Sequence, residues 1–306
     1  MRPLAPIRLV GDAAQRGAAH AQAAMGMAAA IRATIEQRAA AAGDVLSSPD
    51  ALRFLAAQTA FARSHCGPEM AEFDAIAAGL ALDPALPVAL MHLSALAGRY
   101  EVDGCTAWAR PVPGGGAVLS KNRDLSGGHR NFQQVFLHVD AAAPGGAVLA
   151  VGTLGAPGVY SSGMNAAGLA LADTAIEAPR HQVGWLRYFL MTRVAFSCAT
   201  VEEACELIAR QRHAGGGSLI LADASGAVAT VELRAEGAVI DRQAPAFRTN
   251  HFLSEPLADV RARQSEAAFR STTGRFAALA RRLSDGLGTG AEVAVLHGPL
   301  AEGEVP

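Results

Sequence analysis

The chain has 306 residues, 51% of them hydrophobic and 18% charged, with 26 basic side chains against 28 acidic ones. So balanced a charge leaves no electrostatic footprint for nucleic acid, and no basic amphipathic helix stands out for a membrane surface. No apolar run reaches the ~18 residues of a membrane span, and the start, Met1-Arg2-Pro3-Leu4-Ala5-Pro6, lacks the apolar core of an export signal.

Residues 1 to about 100 read as helical throughout. Residues 11–42 are rich in alanine, the best helix former, with no internal proline. Ser48-Pro49-Asp50 opens a second helix, with proline tolerated in its first turn and Leu52, Phe54, Leu55 and Phe61 as its apolar side. Gly67-Pro68 breaks that helix and a third runs to about Gly79. Asp83-Pro84 starts a fourth, carrying Leu86, Val88, Leu90, Met91 and Leu93.

After Cys105 the texture changes to strands. Residues 102–110 and 117–121 flank Pro113-Gly114-Gly115-Gly116, a hairpin with a glycine-rich turn. Residues 135–139 and 147–151 flank Pro144-Gly145-Gly146, a second hairpin. Residues 159–162 and 169–172 flank 163–168, a third. Two helices follow, at about 185–196 and from Thr200-Val201-Glu202-Glu203, a capping-box pattern. Strands resume at 218–221, 227–233 and 247–252, and a long helix covers about 259–283. This order predicts an α+β fold in which antiparallel sheets are covered by helices. The seam falls at 98–104, and no repeat of fixed period occurs.

Four cysteines, Cys66, Cys105, Cys198 and Cys205, are too few and too scattered for a disulfide framework, which suggests reduced thiols and a cytoplasmic protein. A cysteine at a strand start is most often a small buried hydrophobe. Two features set Cys105 apart. It lies on the seam, and Gly104 before it has no Cβ, so another group can approach closely. Downstream come Asn122-Arg123-Asp124, then Tyr160-Ser161-Ser162-Gly163-Met164-Asn165-Ala166-Ala167-Gly168-Leu169, then Arg248-Thr249-Asn250-His251-Phe252, then Ser271-Thr272-Thr273-Gly274-Arg275.

This set, in this order, resembles the N-terminal-nucleophile hydrolases related to isopenicillin-N (acyl-CoA:6-aminopenicillanic acid) acyltransferase, a branch near the choloylglycine hydrolases. The likeness covers about residues 10–285, and Gly17-Ala18-Ala19-His20 is similar to an early Gly-x-x-His pattern of those acyltransferases. The resemblance implies an αββα sandwich preceded by a helical pro-segment. It also implies that Cys105 attacks the carbonyl of Gly104, forms a thioester and is freed by hydrolysis. Residues 1–104 would then be a small subunit and 105–306 the catalytic one. The chemistry gives a reason for such a cut. A thiol with pKa ~8.5 is mostly protonated at neutral pH, and a new α-amine with pKa ~7.7–8.0 on the same residue supplies a base.

Residue by residue, the resemblance makes Asp124 the carboxylate that binds the amine of the nucleophile. It makes Asn250 the amide that stabilises the tetrahedral oxyanion, a role worth ~10²–10³ in rate. Arg275 is the arginine that positions Asp and Cys. The ordinary alternatives are turn residues for Asp124 and Asn250 and a solvated helix face for Arg275, with Arg270, Arg281 and Arg282 near it. Asn165 and Gly168 fit a tight turn. Where the choloylglycine branch has a second oxyanion asparagine, Asp173 or Thr174 stands, which leaves backbone N–H to serve there. Lys121 replaces its usual arginine, and the long segment before Cys105 is a further departure from bile-salt hydrolases. The chain ends at Pro306, soon after the late helix, where relatives often add strands.

No other chemistry is signalled. There is no His-Glu-x-x-His or Cys-x-x-Cys for a metal, no dinucleotide or phosphate loop, and no Gly-x-Ser-x-Gly elbow. No cofactor is called for. His65-Cys66 need not converge on one ion, and Cys198 and Cys205 read as core. The expectation is an autoproteolytic cysteine amidohydrolase or acyltransferase, with a small amide or acyl-CoA as substrate and water or a small amine as acceptor. Its two subunits would associate with each other, and homo-oligomerisation is left open. One alternative is a non-catalytic small-molecule binder or scaffold that keeps the fold without self-processing. Another is a cysteine hydrolase that uses His129, His138 or His251 as base without self-cleavage.

Overall fold

The computed structural model describes residues 5–92, 104–124 and 131–284. The N-terminal segment is helical with one exception, which corrects the sequence reading: Ile7–Val10 is a strand, β1. Helices α1 (Ala13–Ala24), α2 (Ala28–Ala41), α3 (Pro49–His65), α4 (Gly67–Gly79) and α5 (Ala85–Met91) follow. Asp12 caps α1 in a reciprocal capping box with Gln15, and Ser48 caps α3 through Ala51 N–H. Helices α1 and α4 touch backbone to side chain. A Cβ on Gly17 would lie 2.4 Å from the Glu72 carbonyl, and one on Gly79 would lie 2.4 Å from the Ala21 methyl.

Three hairpins come next, as the glycine-rich turns require. Strands β2 (Cys105–Pro111) and β3 (Ala117–Arg123) pair antiparallel, as do β4 (Gln133–Val139) and β5 (Ala147–Thr153), and β6 (Ser162–Asn165) and β7 (Ala170–Thr174). In the third hairpin the strand includes Gly163-Met164-Asn165, which the sequence had suggested as turn. The turn proper is Ala166-Ala167-Gly168, with Gly168 at φ +99°. Gly163 fits in a strand because a Cβ there would crowd the Leu149 carbonyl at 3.0 Å.

Helices α6 (Arg187–Ser197) and α7 (Val201–Ala209) precede β8 (Ser218–Ala222), β9 (Val228–Arg234), β10 (Gly237–Asp241) and β11 (Ala246–Arg248). Strand β10 was not anticipated, and β11 is shorter than expected. The late helix is two, α8 (Leu257–Arg263) and α9 (Glu266–Ser284), broken where Gln264 is extended (φ −101°, ψ 154°).

Two sheets result. The larger runs β1-β4-β5-β6-β7-β8-β9-β10, antiparallel except for the β1–β4 pair, and the smaller runs β11-β2-β3. Alternation of side chains divides the core. Leu219, Leu221, Val231 and Leu233 face helices α6 and α7, whereas Ile220, Ala222 and Val228 meet Ala107, Ala109 and Leu119 of the small sheet. The outer face of the small sheet carries Trp108, Val118 and Phe247, packed against Leu279 and Leu283 of α9. Helices, sheet, sheet and helix thus form an αββα sandwich.

The N-terminal segment does not stand apart. Ala62, Cys66, Met70, Phe73 and Val88 share one core with α6 and the large sheet. Arg193 of α6 grips Glu69 with two hydrogen bonds of 2.8 Å, and Gln58 exchanges two with the backbone of Gly184. Among the described residues no helix is long and apolar enough to cross a membrane.

Candidate active site

Strand β2 begins at Cys105, which is buried, and its neighbours on both sides build the site. On one side is β3. The Asp124 N–H donates to the Gly104 carbonyl at 2.8 Å, so Gly104 and Asp124 form a hydrogen-bonded pair. The next pair, Cys105 and Arg123, is therefore of the close, non-hydrogen-bonded kind, with both side chains on one face. A Cβ on Gly104 would stand 2.3 Å from Asp124 Oδ2, so any larger residue must displace that carboxylate. Asn122 Nδ2 donates to the other oxygen, Asp124 Oδ1, at 2.9 Å.

On the other side is β11, whose ladder stops at Arg248 opposite Ala107. Asn250, two residues on, offers its side chain instead of its backbone. Its Oδ1 accepts from Cys105 N–H at 2.8 Å and from Arg275 Nη2 at 2.7 Å, while its Nδ2 donates to the Ala175 carbonyl at 2.7 Å. Donors on one side and an acceptor on the other fix which way the amide points. The loop is held from below. Glu232 accepts from Arg248 Nε, Leu253 N–H and Ser254 N–H, at 3.0, 2.8 and 3.1 Å. Thr272 Oγ1 accepts from Asn250 N–H at 2.7 Å, and Gln264 Nε2 donates to the Asn250 carbonyl at 2.9 Å. Gln264 is also the residue at which the late helix breaks.

Arg275 comes from α9, on the stripe Thr272, Arg275, Leu279, Leu283 whose three- and four-residue steps keep it on one face. Besides Asn250 it donates to the Cys105 carbonyl and to Thr106 Oγ1. Burial lowers its pKa, against the attraction of Asp124 and Cys105. The four residues singled out from the sequence therefore meet around the backbone of Gly104 and Cys105. Toward the Cys105 N–H, Asn250 presents its oxygen.

A second group adjoins Cys105, and sequence reasoning missed its centre, Arg123. The Arg123 guanidinium lies 5.6 Å from the Tyr160 ring, Tyr160 stacks on Tyr188 at 4.1 Å, and the Arg187 guanidinium lies 4.6 Å from the Tyr188 ring. Arg187 Nε also donates to Asp173 Oδ2 at 2.7 Å, and Lys121 Nζ bonds the other Asp173 oxygen and, at 3.1 Å, the Ser161 carbonyl. Burial opposes the charge on Asp173, but Lys121 and Arg187 outweigh it and hold its pKa below the usual range. Strand alternation was the signal: positions 121 and 123 share the face of Cys105.

Other readings fall into place. Asn165 Nδ2 bonds the carbonyls of Ala195 and Cys198, and its Oδ1 accepts from Leu169 N–H, a structural role. Thr174 pairs with Ser218. His20 accepts from Gly155 N–H at 2.9 Å and stacks on Phe136. His138 sits with Phe136, Phe196 and Glu72, and His251 with Thr249, Thr272 and Phe276. His129, Leu93 and the chain end at Pro306 lie outside the described residues. Cys66, Cys198 and Cys205 are buried free thiols.

Residues 113–296, more than half of the chain, match the model of the acyl-coenzyme A:6-aminopenicillanic acid acyl-transferase family. The chain belongs to that family of acyl-transferases. A conjugated bile acid hydrolase from Clostridium perfringens is similar at 16% identity, covering 64% of this chain and 68% of its own, with a TM-score of 0.36. Penicillin V acylase from Agrobacterium tumefaciens is similar at 19% identity, covering 65% and 64%, with a TM-score of 0.35. No curated protein sequence matches significantly.

Proposed function

We propose that this protein is an N-terminal-nucleophile cysteine amidohydrolase or acyltransferase that activates itself by cutting between Gly104 and Cys105. The observation that carries the reading is the set of contacts on the Gly104–Cys105 peptide bond and on the carbonyl that follows it. The Gly104 carbonyl accepts from Asp124 N–H, the Cys105 nitrogen from which it must part is held by Asn250 Oδ1, and the Cys105 carbonyl is held by Arg275. Attack of Cys105 Sγ on the Gly104 carbon forms a C–S bond as the C–N bond breaks. The thiol proton ends on the departing nitrogen, and the Asp124 N–H stabilises the transient oxyanion. Water then hydrolyses the thioester, leaving residues 1–104 as a small subunit and 105–306 as the catalytic one.

In the cut enzyme the Cys105 amine takes the thiol proton during acyl transfer. Asn250 Oδ1 is already placed to accept from that amine, and Asp124 Oδ2 stands beside the position Gly104 vacates. The acyl group, from a small amide or an acyl-CoA thioester, passes through Cys105 to water or a small amine. Four thiols without a disulfide agree with a reducing compartment such as the cytoplasm.

Mass spectrometry of the purified protein tests this. Two fragments meeting at Gly104 and Cys105 are expected, and they should vanish in Cys105→Ala. A wild-type chain still intact after long incubation favours the non-catalytic binder. An intact chain that nevertheless turns over substrate favours a Cys–His hydrolase.

A further inference from the structure

The described charges next to Cys105 do not balance. Lys121, Arg123, Arg187 and Arg275 face only two carboxylates, Asp124 and Asp173. Asp173 is taken by Lys121 and Arg187, and Asp124 stands with Arg275. Among the described residues the cation left over is Arg123, whose buried Nη1 has no hydrogen-bond partner there. A buried guanidinium nitrogen without a partner is costly, since it has lost its water and gained nothing in return. The Arg123 guanidinium lies over Tyr160, 5.6 Å from the ring centre, an attraction that holds the cation while leaving Nη1 unused. The Tyr160–Tyr188 stack is closed at its far end by Arg187, so the whole ladder is supported from the large sheet and α6. Arg123 is also the close cross-strand partner of the nucleophile.

We propose that Arg123 is a specificity-determining residue that receives a carboxylate of the substrate, so that the preferred acyl donors or acceptors are acids in which a carboxylate lies near the reacting carbonyl. This rests on Cys105 being the nucleophile. A planar fork suits a carboxylate, which takes two parallel N–H bonds, better than it suits a neutral amide. The surplus charge draws the anion in, and the Tyr160 face sets the angle at which it docks.

The test uses the thiol itself as reporter, with two alkylating reagents of similar size, anionic iodoacetate and neutral iodoacetamide. Alkylation of Cys105 is followed by peptide mass spectrometry, in wild type, Arg123→Met and Arg123→Lys, with glutathione as the reference thiol. The expected iodoacetate-to-iodoacetamide rate ratio at Cys105 exceeds that of glutathione by about tenfold or more, the effect of one charge-assisted hydrogen bond. It should collapse to the glutathione value in Arg123→Met and be partly kept in Arg123→Lys. A wild-type ratio equal to that of glutathione, a ratio unchanged in Arg123→Met, or a Cys105 that neither reagent reaches overturns the proposal. The same samples report self-cleavage separately. An intact chain that still discriminates between the reagents sinks the self-cleaving reading and leaves the anion receptor standing.

Discussion

Asn250 lies across from Cys105 in the register that β11 and β2 share, two pairs beyond the point where their backbone ladder ends. Phe247 faces Trp108 and Arg248 faces Ala107, so continued pairing brings position 250 to position 105. There a side-chain oxygen takes the hydrogen bond that a backbone carbonyl would otherwise accept. The exchange matters on the proposed reading, in which Cys105 changes from amide to amine. A side-chain acceptor can keep its grip on the nitrogen while the chain on the far side of it is cut away.

The first consequence concerns Asn250 itself. Replacing it with leucine removes the acceptor for Cys105 N–H and leaves Arg275 Nη2 unpaired. Self-cleavage should slow by about 10²-fold or more, in the range found when one polar contact to a reacting centre is lost. Precursor and product bands followed over time after purification give the rate. Cleavage at the wild-type rate would remove Asn250 from the mechanism.

Gly104→Ala should stop processing for a steric reason. The added methyl would sit 2.3 Å from Asp124 Oδ2, far inside contact distance, so either the carboxylate or the scissile carbonyl must move. A precursor that stays intact and retains wild-type thermal stability is the expected result, checked by mass spectrometry and a melting curve together.

Stability should depend on pH through buried imidazoles. Burial pushes His20 from 6.5 down to about 4, and its Nε2 must stay unprotonated to accept from Gly155 N–H. The unfolded chain takes up that proton near pH 6.5 and the folded chain does so only near 4. Acid therefore favours unfolding, and stability falls as pH drops from about 6.5 to about 4, each such group adding up to ~1.4 kcal/mol per pH unit. His20→Gln keeps an acceptor that does not titrate. Urea unfolding at several pH values should show its slope in this window reduced by about one proton.

If the chain is cut, the two pieces should remain together in strong salt. The Glu69–Arg193 and Arg16–Asp140 pairs that join them are largely buried, where screening by ions is weak, and much of the contact is apolar. Gel filtration in 1 M sodium chloride, a concentration at which the screening length is about 3 Å, should still give one peak containing both fragments. Separate peaks would refute it.

Much of this was legible in the sequence because it is local. Glycine-rich turns announce hairpins, and β2–β3 and β4–β5 form where they were expected. Cys105, Asp124, Asn250 and Arg275 could be named from motif order alone, and the fold brings them together. What escaped depends on partners far along the chain. Strand β1 is four residues long and finds its place only through Phe136 to Val139, about 130 residues away, so nothing nearby marks it. The orientation of the Asn250 amide depends on the Ala175 carbonyl, which no motif contains. Arg123 was in view, in the middle of Asn122-Arg123-Asp124, but its meaning comes from a tyrosine stack contributed by residues 160 and 188.

Strand β1 carries one more implication. It is the outermost strand of the large sheet and comes from the portion ahead of Cys105, so β4 has its rim shielded by a borrowed piece of chain. A gene beginning at residue 105 would produce a sheet with bare amide and carbonyl groups along that rim, ready to recruit any extended peptide. Supplying residues 1–104 in the same transcript is then a form of quality control. On the proposed reading, the catalytic half is then never made without its own blocking strand beside it.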